Sequence, residues 1–229
     1  MITLYIVLMT LIILIALTGG FILLWMKLKP LRRRNTKRRL EQVRERLKAV
    51  YIRIPHQRNI AYSEYPVIEA SASIEAWLLQ NRPKNALIAA MHAVKSEPES
   101  GDAYLHLART LLYCDEIEGA RRALQRAQSL GQSGVAVDYL ETRMQLQING
   151  ILEESFEIQH SDKMLGILER LLDTVEKDPN FGDAAYHLGR LALAFGLLEE
   201  GKRLLEKVEP LMDASPERPG YQIDLNRLN

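Results

Sequence analysis

The sequence predicts an all-α chain, with one amino-terminal transmembrane helix followed by an α-solenoid of about four helix-turn-helix repeats. Three observations carry that prediction. Residues 2–26 are twenty-five consecutive residues without a charged side chain. The phrase GDAYLHLART at 101–110 returns as GDAAYHLGRL at 182–191, 81 residues later. Charge is also sharply partitioned along the chain. A formal net charge of +1 conceals +11 in residues 27–58 and −10 in the 171 residues that follow. Such a split separates parts with different surroundings.

The apolar run comes first. A hydrocarbon core of ~30 Å needs about 20 helical residues, so the run can span it with some tilt. A cleaved leader fits less well: no basic residue precedes the run, its length exceeds about 15 residues, and no small-residue cleavage motif follows. KLKPLRRRNTKRR follows at once, and basic residues beside a span stay on the cytoplasmic side. The expectation is therefore a single-pass membrane protein of a bacterial inner membrane, with its amino terminus outside and its carboxy-terminal domain in the cytoplasm. Trp25 sits where an interfacial anchor belongs, and Gly19 and Gly20 would let another membrane helix approach closely.

Residues 29–66 read as a basic juxtamembrane helix and linker behind the 1–28 anchor. Pro30 ends or bends the first helix, and Asn35 or Thr36 can cap the next. Leu40, Val43, Leu47, Val50 and Ile54 then make one narrow apolar stripe. One reading is a solvated helix that packs this stripe on the domain behind it. The other is contact with anionic lipid headgroups through Lys27, Lys29, Arg32, Arg33, Arg34, Lys37, Arg38 and Arg39, each contributing about 1 kcal/mol. Nucleic acid is disfavoured, because membrane topology alone accounts for the cluster. RIPHQRNIAYSEYP, 53–66, reads as the linker.

The repeats follow. Between 97–130 and 178–211, twelve of thirty-four positions are identical. In the unit 101–134, large Tyr104, Leu107, Leu111 and Leu124 alternate with small Ala108, Ala120 and Ala127. Small residues let helix backbones approach and large ones fill the layer between them. This pattern resembles the tetratricopeptide repeat, a helix-turn-helix unit of about 34 residues. Trp77, Ala86, Ala93 and Pro98 place a matching unit at 67–100, and Leu188, Gly189, Gly201 and Leu205 another at 182–215. The 81-residue offset is two such units with 13 residues to spare. The third unit, 135–181, therefore carries an insertion, NGILEESFEIQHS at 149–161; two repeat pairs joined by one long helix is the alternative. The domain ends near 215, and 216–229 either caps the last repeat or forms a tail.

No chemistry-bearing motif stands out. There is no phosphate-binding glycine loop and no HExxH, and the five histidines are scattered. Cys114, the only cysteine, can form neither an intrachain disulfide nor a cysteine metal cage. The expectation is a non-enzyme without metal, cofactor or small-molecule substrate. The tetratricopeptide resemblance implies instead a groove lined by the first helices of successive units. Its positions correspond to Asp102, Leu105, Arg109, Leu112 and Tyr113, and to Asp183, Tyr186, Arg190 and Leu193. Asp and Arg recur there together, either as exposed ion pairs or as arginines offered to a partner carboxylate. Leu105 and Tyr186 stand where chaperone-binding members carry polar clamp residues, so chaperone-tail binding is not expected. The layout resembles membrane-anchored tetratricopeptide proteins. It implies a scaffold or assembly factor for subunits of a membrane complex, with a permanent subunit or an anchored peptide receptor as alternatives.

Overall fold

A computed structural model describes residues 35–57, 59, 62–150, 162–213 and 215–228. The apolar run, Gly19, Gly20, Trp25, Lys27, Lys29, Arg32, Arg33, Arg34 and most of the expected insertion lie outside these residues. Among the described residues, no helix is long and apolar enough to cross a membrane. The chain divides into two compact units, 1–42 and 43–229. In the first, the described residues 35–42 are helical, and Lys37 and Arg38 are exposed.

The second unit is all helix. Residues 43–53 are helical and are labelled α1. Nine further helices follow among the described residues: α2 (Ser71–Leu79), α3 (Pro83–Ser96), α4 (Gly101–Tyr113), α5 (Ile117–Ser129), α6 (Val135–Ile148), α7 (Asp162–Lys177), α8 (Gly182–Ala194), α9 (Leu198–Met212) and α10 (Arg218–Leu228). From α2 to α9 they pack as four consecutive pairs, and each pair touches the next. That nearest-neighbour stacking is what defines a solenoid.

Each pair closes on a left-handed residue. Asn81, Asp115, Gly150 and Gly196 have φ of 55°, 62°, 65° and 78° and sit after α2, α4, α6 and α8. The turn returns backbone hydrogen bonds to orphan carbonyls of the first helix. Arg82 donates to Trp77 at 2.8 Å, Glu116 to Leu111 at 2.9 Å and Leu197 to Ala192 at 3.0 Å. Ser100 starts α4 by accepting the Ala103 amide at 3.2 Å.

The small residues sit where the helices cross. A Cβ on Gly189 would lie 2.8 Å from Leu205, and one on Gly201 would lie 2.9 Å from the Leu193 backbone nitrogen. The matching Ala108 and Ala120 of the second pair are buried. Hydrogen alone fits at Gly189 and Gly201, and a methyl is accommodated at Ala108 and Ala120. Val43, Leu47, Val50 and Ile54 of the predicted stripe are all buried. The helix carrying them lies along the second helices, where Arg46 pairs with Asp173 and Glu176 on α7 and Arg44 with Glu200 on α9. This cover explains why α7 buries Leu165, Leu168, Leu171, Leu172 and Val175.

Two segments flanking the repeats pack against them. The end of the linker is packed rather than loose. Tyr62 donates to Asp178 at 2.6 Å, Glu64 accepts the Gly182 amide at 3.0 Å, and Tyr65 is buried. The end of the chain, in turn, is the helix α10. Pro219 occupies its first turn, where a missing N–H costs nothing.

Candidate partner-binding face

The first helices of the pairs, α2, α4, α6 and α8, form an inner face, with α2 touching α4 and α4 touching α6. Counting each unit from 67, 101, 135 and 182, the ninth place holds Glu75, Arg109, Arg143 and Arg190. These four residues form a ladder across the face. Arg109 is 3 % exposed and pairs with Glu75 one repeat away. Arg143 is 5 % exposed and pairs with Glu217. Arg190 lies 2.8 Å from Asp224 of α10. Each guanidinium also covers an aromatic ring: Arg109 over Tyr65 at 4.1 Å, Arg143 over Tyr113 at 4.1 Å and Arg190 over Tyr186 at 5.7 Å.

The predicted aspartate–arginine pairs within one helix do not form. Seven residues along a helix is two turns, about 10 Å, and each arginine instead meets a carboxylate from a neighbouring element. Asp102 is half-buried at the start of α4. Asp183 is fully buried, and the Ser215 hydroxyl donates to it. Burial is the main reason its carboxyl is shifted upward, with the nearby Glu217 charge acting in the same direction. Leu105, Leu112 and Tyr186 are buried in this face and Tyr113 is half-buried. Leu193 differs, because the close α8–α9 crossing brings its side chain against Gly201.

Both repeated histidines are buried, and burial shifts both toward the neutral form. His106 Nε2–H donates to the Pro66 carbonyl at 2.7 Å, and burial lowers its pKa. His187 is stacked on Tyr139 and has Glu217 at 3.9 Å. Burial pulls it down to about 3, against the attraction of Glu217 and with help from Arg143 and Arg190. Burial, the largest influence, would raise Glu217, but the Arg143 charge, His187 and hydrogen bonds from Arg143 and Tyr113 together bring the carboxyl down to about 2. Cys114 is half-buried, and burial first, then Glu116, pushes its thiol upward, away from a reactive thiolate.

Sequence reasoning did not find Arg143, Tyr139, Glu75, Tyr65, Glu217 or Asp224. Arg143 was reachable: it lies 34 residues after Arg109, in the same register. The third unit, begun at 135, lacks the GDA phrase that marks 101 and 182, and the groove positions were carried over only to the two units that bear the phrase. Tyr65, Glu217 and Asp224 lie outside the repeats, and no periodicity points to them. The predicted groove is thus occupied from within. Tyr65 fills one part of it, against His106 and Phe181, with ring centroids 6.0 and 5.8 Å away. Glu217, Tyr221 and Asp224 fill another.

No protein-family model matches the chain, and no curated protein matches it. Among solved structures it is similar to MamA from Desulfovibrio magneticus RS-1, residue 41 to the end, at 18 % identity and a TM-score of 0.41, covering 70 % of this chain and 81 % of that one. A MamA RS-1 double mutant gives 18 % identity, a TM-score of 0.40 and the same coverage. YrrB, described as a tetratricopeptide protein with an unusual peptide-binding site, gives 15 % identity and a TM-score of 0.34, covering 70 % of this chain and 92 % of that one. The repeat architecture described above rests on the chain's own helix pairs.

Proposed function

We propose that the chain is a protein–protein interaction scaffold, held at a membrane by its amino-terminal apolar segment, that keeps or assembles subunits of a membrane complex. The observation that carries this reading is the arginine ladder of the inner face. Three buried or half-buried guanidiniums, each over an aromatic ring, form a surface suited to carboxylates presented by protein. An open receptor for passing peptides fits less well, because the ladder is already engaged by the chain's own carboxylates. The exposed Lys37 and Arg38 remain suited to anionic headgroups.

The test is purification of the full-length chain from its native membrane in mild detergent, with mass spectrometry of what accompanies it. A partner set at fixed ratio, retained when the apolar segment is exchanged for an unrelated span, supports the reading. A chain that resists no detergent-free wash of the membrane, or that always purifies alone, overturns it.

A further inference from the structure

The carboxy-terminal helix is weakly buried, although its segment meets arginines of two first helices. Of its described side chains only Tyr221 is buried, and Ile223 is 41 % exposed. One row of side chains ties it to the array. Glu217 meets Arg143, Tyr221 donates to the Leu205 carbonyl at 3.1 Å, and Asp224 takes both Arg190 at 2.8 Å and the Tyr186 hydroxyl at 2.7 Å. These three residues stand at i, i+4 and i+7, and the Tyr221 amide bonds the Glu217 carbonyl at 3.0 Å, so these contacts fall on one helical stripe, while Arg218 pairs back to Asp213 at the end of α9. An isolated helix of eleven residues, with Pro219 and Gly220 in its first turn, has little stability of its own.

We propose that this stripe is a resident stand-in for a partner: the face beneath α10 binds an amphipathic helix bearing a carboxylate, an aromatic and a second carboxylate at i, i+4 and i+7, and the partner enters by displacing α10. The proposal rests on the scaffold reading above and deepens it. Charge complementarity selects the partner, because Arg143 on α6 takes the carboxylate at i while Arg190 and the Tyr186 hydroxyl on α8 take the one at i+7. The thin attachment of α10 makes the exchange possible without unfolding the repeats.

The probe is a fluorescein-labelled synthetic peptide of residues 215–229, titrated into the full-length chain. The weakened variant Glu217→Gln/Tyr221→Ala/Asp224→Asn should bind it at least tenfold more tightly than wild type does. Adding Arg143→Met and Arg190→Met should abolish the binding, and a peptide carrying the same three substitutions should not bind. Equal affinity for wild type and variant, or binding indifferent to the two arginines, overturns the proposal. Hydrogen exchange on the wild-type chain decides the matter even if a variant fails to fold. Amides of α10 should exchange at least tenfold faster than those of α8, and equal protection overturns displacement. A wild-type dimer dissolved by the peptide would assign the site to α10 of a second copy and overturn the commitment to a foreign partner. The co-purification above does not depend on α10, so a fixed partner set together with a negative peptide titration defeats this proposal alone.

Discussion

Replacing Arg143 by Met should cost the fold about 3 kcal/mol. The substitution keeps the aliphatic bulk and removes the cation, leaving the Glu217 carboxyl without its main partner in a site where its side chain is only 17 % exposed. The magnitude comes from two directions. The Glu217 carboxyl lies at about 2 instead of its ordinary 4.5, and at about 1.4 kcal/mol per unit that is a preference of about 3 kcal/mol for the paired, ionised form. Buried pairs broken on one side cost about 3–5 kcal/mol in general. The lower end applies here, because Glu217 can reach water if α10 lifts, at the loss of the Tyr221 burial, worth about 2 kcal/mol. The assay is urea unfolding of the full-length chain followed by helical circular dichroism. The Glu217→Leu and Arg143→Met/Glu217→Leu chains complete a double-mutant cycle. The double variant should recover more than about 1 kcal/mol relative to the sum of the singles. An Arg143→Met chain within about 0.5 kcal/mol of wild type, or a strictly additive cycle, would refute the claim that this buried pair holds the inner face.

Three further outcomes follow from named contacts. Gly201→Ala places a methyl 2.9 Å from the Leu193 backbone nitrogen, which no rotamer change relieves, so it should destabilise by about 1–2 kcal/mol. Gly166→Ala on α7 meets nothing within 4 Å and should stabilise by about 0.5–1 kcal/mol; the same sign for both variants in urea unfolding would contradict the packing of α8 on α9. Tyr65→Ala should cost about 3 kcal/mol, since Tyr65 is 4 % exposed beneath Arg109 and against Phe181; a loss below about 1 kcal/mol would mean the end of the linker is not packed. Acid should weaken the fold through His187, which Arg143, Arg190, Glu217, Tyr139 and Tyr186 surround. Its folded pKa of about 3 lies below the unfolded value of 6.5, so the unfolded chain binds the extra proton, and stability is lost as pH falls from 6.5 towards 3. Between pH 7 and 5 wild type should lose about 2 kcal/mol more than His187→Gln. Glu217, whose pKa is depressed, adds its own loss only below 4.5, and Asp183, whose pKa is raised, acts in the opposite sense. Equal slopes for the two chains in urea titrations at both pH values would show that His187 is not buried neutral.

The all-α repeat class was legible because its determinants are local. Small residues at helix crossings and large ones between them recur within a single unit, and the recurrence survives in the sequence whatever the rest of the chain does. Arg109 and Arg190 were legible for the same reason, being fixed to a place in the unit. What a place in a unit does not reveal is its partner. Arg109 finds Glu75, 34 residues away, while Arg143 finds Glu217, 74 residues away, and Arg190 finds Asp224. The first pair keeps the repeat period, but nothing periodic leads to Glu217 or Asp224, so a groove that reads as open is closed by the chain itself.

The sequence by itself thus determined the helical class, the small-residue crossings and the recurrence of arginine on the first helices, because each depends on spacings within about one repeat. Tertiary structure alone decided that Tyr65 and α10 cover those arginines and that His187 stays neutral. Those outcomes depend on desolvation and on charges brought together from distant parts of the chain, and neither is written in local spacing.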